Sequence, residues 1–369
     1  MNRVLRSLGI TAVILAACTD GPGSLAGPEP SRAQSPAASA VVTLTAPVFG
    51  LATSPDGSLL AAELGGVVEI RKGTSRLVAA LSGVSGVVAI GRGSLLAITG
   101  EPQDPGSAAT ARRLFRISQG ETREIANLGA YEAAVNPDQF WNSGPPDSNP
   151  FGVAELGGGR ALVADAGANA VLAVDERGAI DWVAVLTPRV VPTSYFKGLI
   201  GCAPGDAAGP CGLPATIPAQ PVATSVAVGP DGAYYVGELT GFPGAPGMSR
   251  VWRVQAGSRH VTCPIAACTL VADGFTSIVD LAFGHDGTLY VVELDAAGWL
   301  GVEIVSGGFP ISPVDGGRVQ ACDVATGQCV VRAAGLPLPA AITVGRDGTV
   351  WIADNASIPG GVARVRALP

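Results

Sequence analysis

Val226 to Glu238 reads VAVGPDGAYYVGE, and the pattern returns as LAFGHDGTLYVVE from Leu281 to Glu293 and as ITVGRDGTVWIAD from Ile342 to Asp354. Each copy is an apolar strand, an Asp-Gly turn, a second apolar strand and then an acid. Asp-Gly between alternating β-formers is the strongest short-range hairpin signal, because the turn needs positive φ. Weaker copies run from Leu51 to Glu63, Val87 to Thr99 and Val153 to Asp165. Taking the turn glycines as Gly57, Gly93, Gly159, Gly232, Gly287 and Gly348, the residue six further on is Glu63, Thr99, Asp165, Glu238, Glu293 and Asp354, acidic in every unit but the second.

Each hairpin is followed by a second pair of β-rich segments, for instance Val67 to Arg71 with Leu77 to Leu81, and Val171 to Asp175 with Ile180 to Leu186. Six units of four strands make an all-β, six-bladed β-propeller. The last unit reaches its third strand near Val362 to Val365 and the sequence then stops. Its missing outer strand has a donor in Val41 to Ala46, which would close the ring and leave no open sheet edge between the first and last blades.

Composition agrees. Gly (51) and Pro (29) are too frequent among 369 residues for a long helical protein, and 47% hydrophobic against 14% charged residues excludes a disordered chain. With 23 basic against 30 acidic residues the net charge is -7, which argues against a nucleic-acid partner, since phosphate neutralisation needs clustered cations.

The first residues read as an address. Arg3 and Arg6 precede a ten-residue apolar stretch from Leu8 to Ala17, too short to span a bilayer and suited to a secretory signal. Leu15-Ala16-Ala17-Cys18 resembles the bacterial lipobox, so residues 1–17 are expected to be a signal peptide of the lipoprotein type, with Cys18 lipidated. Ordinary signal cleavage near Ala17 or Ala40 is the alternative. Residues 18–40, rich in Pro, Gly, Ser and Ala, form an expected tether to a propeller over 41–369. The remaining cysteines fall in close pairs, Cys202 with Cys211, Cys263 with Cys268 and Cys322 with Cys329. In an exported chain such an even count implies disulfides, and three local pairs favour pairing between neighbours over a zinc site.

Several stretches resemble the ScyD/ScyE family of secreted propellers, relatives of the NHL and SMP-30/gluconolactonase propellers. They are AYEAAV (Ala130 to Val135), DSNPFG (Asp147 to Gly152), VADAGAN (Val163 to Asn169), VGELTGFPG (Val236 to Gly244) and IVDLAFG (Ile278 to Gly284), within a match over roughly 45–366. The resemblance implies a fold and an export route, and carries over no catalytic set.

Topology itself says where function should sit. The turns between first and second strands are tight, whereas the connections at 100–111, 129–148, 187–222, 239–249 and 294–316 are long and should share the opposite face. They hold Tyr131, Phe140, Trp141, Tyr195, Phe196, Phe242, Trp299 and Phe309, eight of nineteen aromatics. Long loops are usually functional, so an aromatic-lined site over the channel mouth is expected, with Trp141, Tyr131, Phe242 and Trp299 as ligand-binding candidates. Packing of the loops onto the propeller is the alternative. Asp280, at the start of an inner strand, is expected to face the channel. The acids Glu63, Asp165, Glu238, Glu293 and Asp354 end second strands on the same face and could hold a divalent cation such as calcium in the channel, or could cap the turns that follow them.

Enzyme readings find less support. Gluconolactonase-like propellers hold their metal partly with Asn and Asp placed just before the small residue that opens an inner strand. Here those positions are Phe49, Ser85, Phe151, Thr224, Val279 and Ala340. A quinoprotein-like oxidoreductase needs a His base, but His285 occupies a tight-turn slot and His260 an outer turn beside Cys263, both read as solvated surface residues. The sequence thus points to an exported, monomeric propeller binding a small molecule or a protein partner, touching the membrane only through its lipid anchor. A hydrolase or oxidoreductase acting at the channel mouth is the alternative.

Overall fold

Asp-Gly turns repeat because one Asp and one Gly solve the same corner each time. In a computed structural model of the chain, which describes residues 41–45, 47–63, 65–102, 107–307, 311–358 and 361–369, all six turn glycines have φ between 71° and 87°. The preceding Asp side chains of Asp56, Asp231, Asp286 and Asp347 accept the backbone N–H two residues on, at 3.0 to 3.2 Å. The Asp residues themselves stay out of the left-handed region. The corner is therefore wider than the two-residue hairpin that Asp-Gly suggests, because that turn needs positive φ at both positions. The expected signal peptide, Cys18, the tether and Phe309 lie outside the described residues.

Among the described residues six sheets are blades, each built on four antiparallel strands, and a seventh is a two-stranded ribbon of Arg189–Pro192 with Thr216–Ala219. Blade 1 is Val48–Thr53, Leu59–Glu63, Gly66–Arg71 and Thr74–Ala80. Blade 2 is Val84–Gly91, Ser94–Thr99, Arg113–Ser118 and Glu121–Asn127. Blade 3 is Pro150–Glu155, Ala161–Asp165, Ala170–Val174 and Ile180–Val185. Blade 4 is Ala223–Val228, Tyr234–Glu238, Ser249–Val254 and Cys268–Phe275. Blade 5 is Ile278–Phe283, Leu289–Glu293, Gly317–Asp323 and Gln328–Leu336. Blade 6 takes Ala341–Val344, Val350–Asp354 and Val362–Ala367 from the end of the chain, and Val42–Thr45 pairs antiparallel with the last of these, Val42 opposite Val365. The core is the set of apolar faces between neighbouring blades.

Two features depart from regular repetition. The inner strands of blades 1 to 5 each break register near their start, leaving Phe49, Ser85, Phe151, Thr224 and Val279 as extra residues at the axis, and blade 2 breaks again between Ala89 and Gly91. At these bulges the strands of adjacent blades nearly touch: a Cβ on Gly50 would lie 2.9 Å from Gly86 Cα, and one on Gly152 would lie 2.8 Å from Ser225 Cα. Only glycine permits that approach. The bulged hydroxyls also stitch blades together, Ser85 Oγ donating to Pro150 O (2.7 Å) and Thr224 Oγ1 to Ile278 O (2.7 Å).

The second departure is an arm. Between its third and outer strands blade 4 sends out residues 255–267, and Val261–Thr262 pairs in parallel with Ala184 and Val185 of blade 3 as a fifth strand. The Cys263–Cys268 disulfide closes the base of this arm, and Cys202–Cys211 and Cys322–Cys329 are likewise bonded, the neighbour pairing that the spacing implied. His260 is therefore more than a solvated turn residue. Its ring stacks on Trp182 with centroids 4.7 Å apart, and its Nε2 lies 2.7 Å from Asp181 Oδ1. His285 also bridges blades, its Nε2 lying 3.0 Å from Gly345 O of the next turn.

Candidate functional site

The long connections leave the blades at the ends of second and outer strands, which places them on one face. Three helices form there: α1 (Leu128–Val135) between blades 2 and 3, α2 (Ser194–Leu199) between blades 3 and 4, and α3 (Gly298–Ser306) within blade 5. Asn127 caps α1 by accepting from Ala130 N at 2.9 Å, and the left-handed Asn136 ends it. The loops are tied to one another as well as to the blades. Tyr195 of α2 donates its hydroxyl to Ala297 O, and Trp299 of α3 donates its indole N–H to Thr240 O at 3.1 Å. Phe196 meets Phe242 edge-to-face at 4.9 Å, and Phe242 remains 42% exposed. The result is a fixed platform of two helices and the 239–249 loop, presenting Phe242 against a half-buried Phe196.

The other aromatic candidates do something different. Tyr131 and Trp141 pack, half-buried, against the core between blades 2 and 3. Burial and the charge of Asp181 push the Tyr131 phenol above its ordinary value. Phe140, edge-on to Trp141 at 6.5 Å, is 57% exposed. Trp299 packs against the blade 5 and blade 6 core. The face thus divides into loop-anchoring aromatics (Tyr131, Trp141, Trp299) and presented ones (Phe140, Phe242).

Below the platform the channel is nearly shut. A cavity of about 30 Å³ remains at the axis, walled by Phe49, Phe151, Thr224, Val279 and Asp280 among others, with the Phe49 and Phe151 rings 5.2 Å apart. That is room for about one water. Asp280 faces it and staples two blades, Oδ1 accepting from Leu281 N and Oδ2 from Ile342 N, both at 2.8 Å. Desolvation in this narrow space pushes its carboxyl up to about 7, against the pull of the two N–H donors.

The five strand-end acids, expected either to hold a channel cation or to cap the turns after them, are held locally. Each is engaged by its immediate neighbours. In blades 4, 5 and 6 the partner is an Arg on the third strand. Glu238 accepts from Arg250 Nε at 2.8 Å and from Trp252 Nε1 at 2.8 Å, Glu293 accepts from Arg318 Nε at 2.5 Å, and Asp354 accepts from Arg364 and Arg366 at 2.8 and 2.7 Å. Burial raises the Glu238 carboxyl, and the Arg250 charge opposes the shift. Blades 1 and 3 have Gly66 and Ala170 opposite the acid, and backbone donors replace the guanidinium. Glu63 accepts from Thr45 N at 2.5 Å. Asp165 accepts from Asn149 N and Ser148 Oγ, both at 2.7 Å, and from Ala168 N at 3.2 Å, and full burial still pushes it up to about 6. Among the described residues no three His, Cys, Asp or Glu side chains come together as a metal site.

The bulge positions do not suit a gluconolactonase-type metal either. Phe49, Phe151, Val279 and Ala340 bring no donor, and the Ser85 and Thr224 hydroxyls already bind the next blade. A second set of acids escaped the sequence reading altogether. Glu132 on α1 and Asp138 just beyond it are each 1% exposed, close to Asp165. A lone Glu in AYEAAV carries no periodicity that would mark it as buried.

No protein-family model matches the chain, and no curated protein matches it in sequence. Solved structures do resemble it in fold. A gluconolactonase from Xanthomonas campestris is 14% identical with a TM-score of 0.51 over 89% of each chain. A protein of unknown function from Bacteroides thetaiotaomicron is 12% identical with a TM-score of 0.51, over 88% of this chain and 70% of that one. A virginiamycin B lyase from Staphylococcus aureus aligns more loosely, 13% identical with a TM-score of 0.46 over 88% and 87%. At such identities fold alone is shared: the chain is a six-bladed β-propeller, with three disulfides that fit an oxidising, extracytoplasmic setting.

Proposed function

We propose that this chain is an exported propeller of the ScyD/ScyE type that binds a small organic ligand on its loop-rich face, without an assigned reaction. The observation that carries the reading is the platform of α2, the 239–249 loop and α3, held by the Tyr195 and Trp299 hydrogen bonds while Phe242 stays exposed. An aromatic surface ordered before binding spares a ligand the cost of ordering it. The near-closed axis supports a ligand seated above the channel rather than within it, since about 30 Å³ admits no organic molecule.

A thermal-shift screen of small metabolites against the mature protein tests this. A wild-type hit should be weakened about tenfold or more by Phe242→Ala, whereas Leu77→Ala, on an outer strand, should leave it unchanged. Equal response of both variants would move the site off the platform. The finer reading of export, a lipid anchor at Cys18 with the propeller as a monomer behind it, rests on the Leu15 to Cys18 run. Cys18→Ser should release the protein from the membrane fraction, and an unmodified native N-terminus by mass spectrometry would refute it.

A further inference from the structure

Between blades 2 and 3, where α1 crosses to the start of blade 3, the loop face holds a cavity of about 340 Å³ with Arg112, Arg113, Asn127, Glu132, Asp147 and Ser148 in its wall. Glu132 is the unusual member. It is 1% exposed, yet its Oε2 has no hydrogen-bond partner. Its other oxygen is within 3.1 Å of the Asn136 amide, which in the orientation that donates also serves Asp138 Oδ1 at 2.9 Å. A buried carboxylate oxygen without a donor is costly, because it has lost its water and gained no partner. Native structures keep few such groups, and each calls for a partner or a role that accounts for it.

The surroundings say what kind of ligand. Three further carboxylates face Glu132: Asp165 beneath it, Asp138 from the residues after α1, and Asp147 at the rim with a side chain 55% exposed. Desolvation first, and then these charges, push Glu132 up to about 8. Two cations stand in the wall. Arg112 donates through Nε to Ser148 O at 2.5 Å, pairs with Glu101 at 3.3 Å and reaches Asp147 Oδ1 only at 3.9 Å, while Arg113 pairs with Glu124 at 3.3 Å and donates to Ala109 O at 2.9 Å; neither donates to Glu132 Oε2. Asp138 is saturated by Asn142 and Asn169, each at 2.9 Å, and Asp165 by Ser148, Asn149 and Ala168. A calcium ion wants six to eight oxygens, whereas among the described wall residues Glu132 Oε2 alone lacks a donor and Asp147 has only the 3.9 Å approach of Arg112. A neutral hydroxyl would satisfy Oε2 but leave the local negative charge uncompensated. An ammonium group does both.

We propose that this cavity binds the primary ammonium group of a small organic amine, with Glu132 Oε2 as the buried acceptor and Asp147 as the carboxylate at the rim. The amine donates N–H to Oε2, and where Glu132 was protonated its proton leaves to solvent as the ion pair forms. This site is separate from the aromatic platform and stands or falls independently of it.

The test is calorimetric titration of the mature wild-type protein with methylammonium and with 1,4-diaminobutane, using glycerol, acetate and calcium as controls. Saturable amine binding is expected, tightening from pH 6.5 to 8.5 with proton release. Glu132→Gln should weaken it about tenfold, the loss of one charge-assisted contact of about 1.4 kcal/mol, and Asp147→Asn about threefold. Phe242→Ala should not change it. If Glu132→Gln fails to fold, the exposed Asp147→Asn and the pH dependence of the wild type decide. Glycerol binding as tightly as the amines, calcium displacing them, unchanged affinity in Asp147→Asn with no pH dependence, or absence of amine binding would each overturn the proposal.

Discussion

Replacing Arg318 by Met asks whether the strand-end acids serve the blades or a bound cation. Glu293 is 1% exposed, and Arg318 supplies two of its hydrogen bonds, at 2.5 and 2.8 Å. Removing one partner of a buried ion pair costs about 3 to 5 kcal/mol, because the other charge is left uncompensated. Two donors remain here, Thr276 N at 2.6 Å and Gln320 Nε2 at 2.7 Å, and the Arg318 side chain is 31% exposed, so water can enter. The loss should fall near about 3 kcal/mol. With an unfolding entropy of about 2.1 cal/mol/K per residue over roughly 330 residues, about 0.7 kcal/mol/K, the melting temperature should drop by about 4 °C. In the double variant Glu293→Gln/Arg318→Met no buried charge remains, and the drop should shrink to about 1 to 2 °C. Differential scanning calorimetry with and without chelator reads all three proteins. An unaltered melt for Arg318→Met, with a wild-type melt that falls on chelation, would show that a cation and not the guanidinium holds Glu293, and the local-pairing account would be wrong.

The remaining predictions concern the axis and the ring. Because the folded-state carboxyl of Asp280 sits near 7 rather than 3.8, the folded protein binds the extra proton, and this group should make stability fall as pH rises from about 4 to about 7 and level off above that; Asp280→Asn should flatten that part of a melt-versus-pH profile. Thr224→Val keeps the shape of the bulge but removes the donor to Ile278 O, so urea unfolding should show a loss of about 1 kcal/mol, with Ser85→Ala similar; no loss in either would mean that these bonds contribute nothing between blades. Deleting 42–45 removes the strand opposite Val362–Ala367 and should lower the single melting transition of the whole propeller, whereas an unchanged melt would count against ring closure by that strand.

What was legible in the sequence was whatever a local rule dictates. Asp-Gly corners, apolar strand pairs and close cysteine pairs each follow from contacts between near neighbours in the chain, so the six units and the disulfides could be read directly. The width of the corner could not, since Asp-Gly fits more than one turn until the Asp φ is known. The acids show a signal that was present but unread. SRVWRV, GRVQACD and VARVRA each place Arg at or near the start of the third strand, opposite the acid that ends the second, and no such Arg stands opposite Glu63 or Asp165. The burial of Glu132 was not encoded locally at all. It arises because α1 lies over the end of blade 3, a packing between residues that the alternating pattern of either segment does not reveal.

The arm of blade 4 bears on how the protein behaves in crowded solution. The outer strands of blades 1, 2 and 5 are mostly exposed and each carries charge, as in Thr74–Ala80 and Glu121–Asn127. Ile180–Val185 differs, with Val183, Ala184 and Val185 fully covered, and Val261–Thr262 lies along its free side. A chain made where Cys263 and Cys268 stay reduced would hold that cover less firmly. It would then offer an uncharged run of valine and alanine backbone to any passing strand, including the same run in a second copy, and self-association by strand pairing would follow. The small disulfide at the base of the arm thus guards colloidal solubility as well as local order.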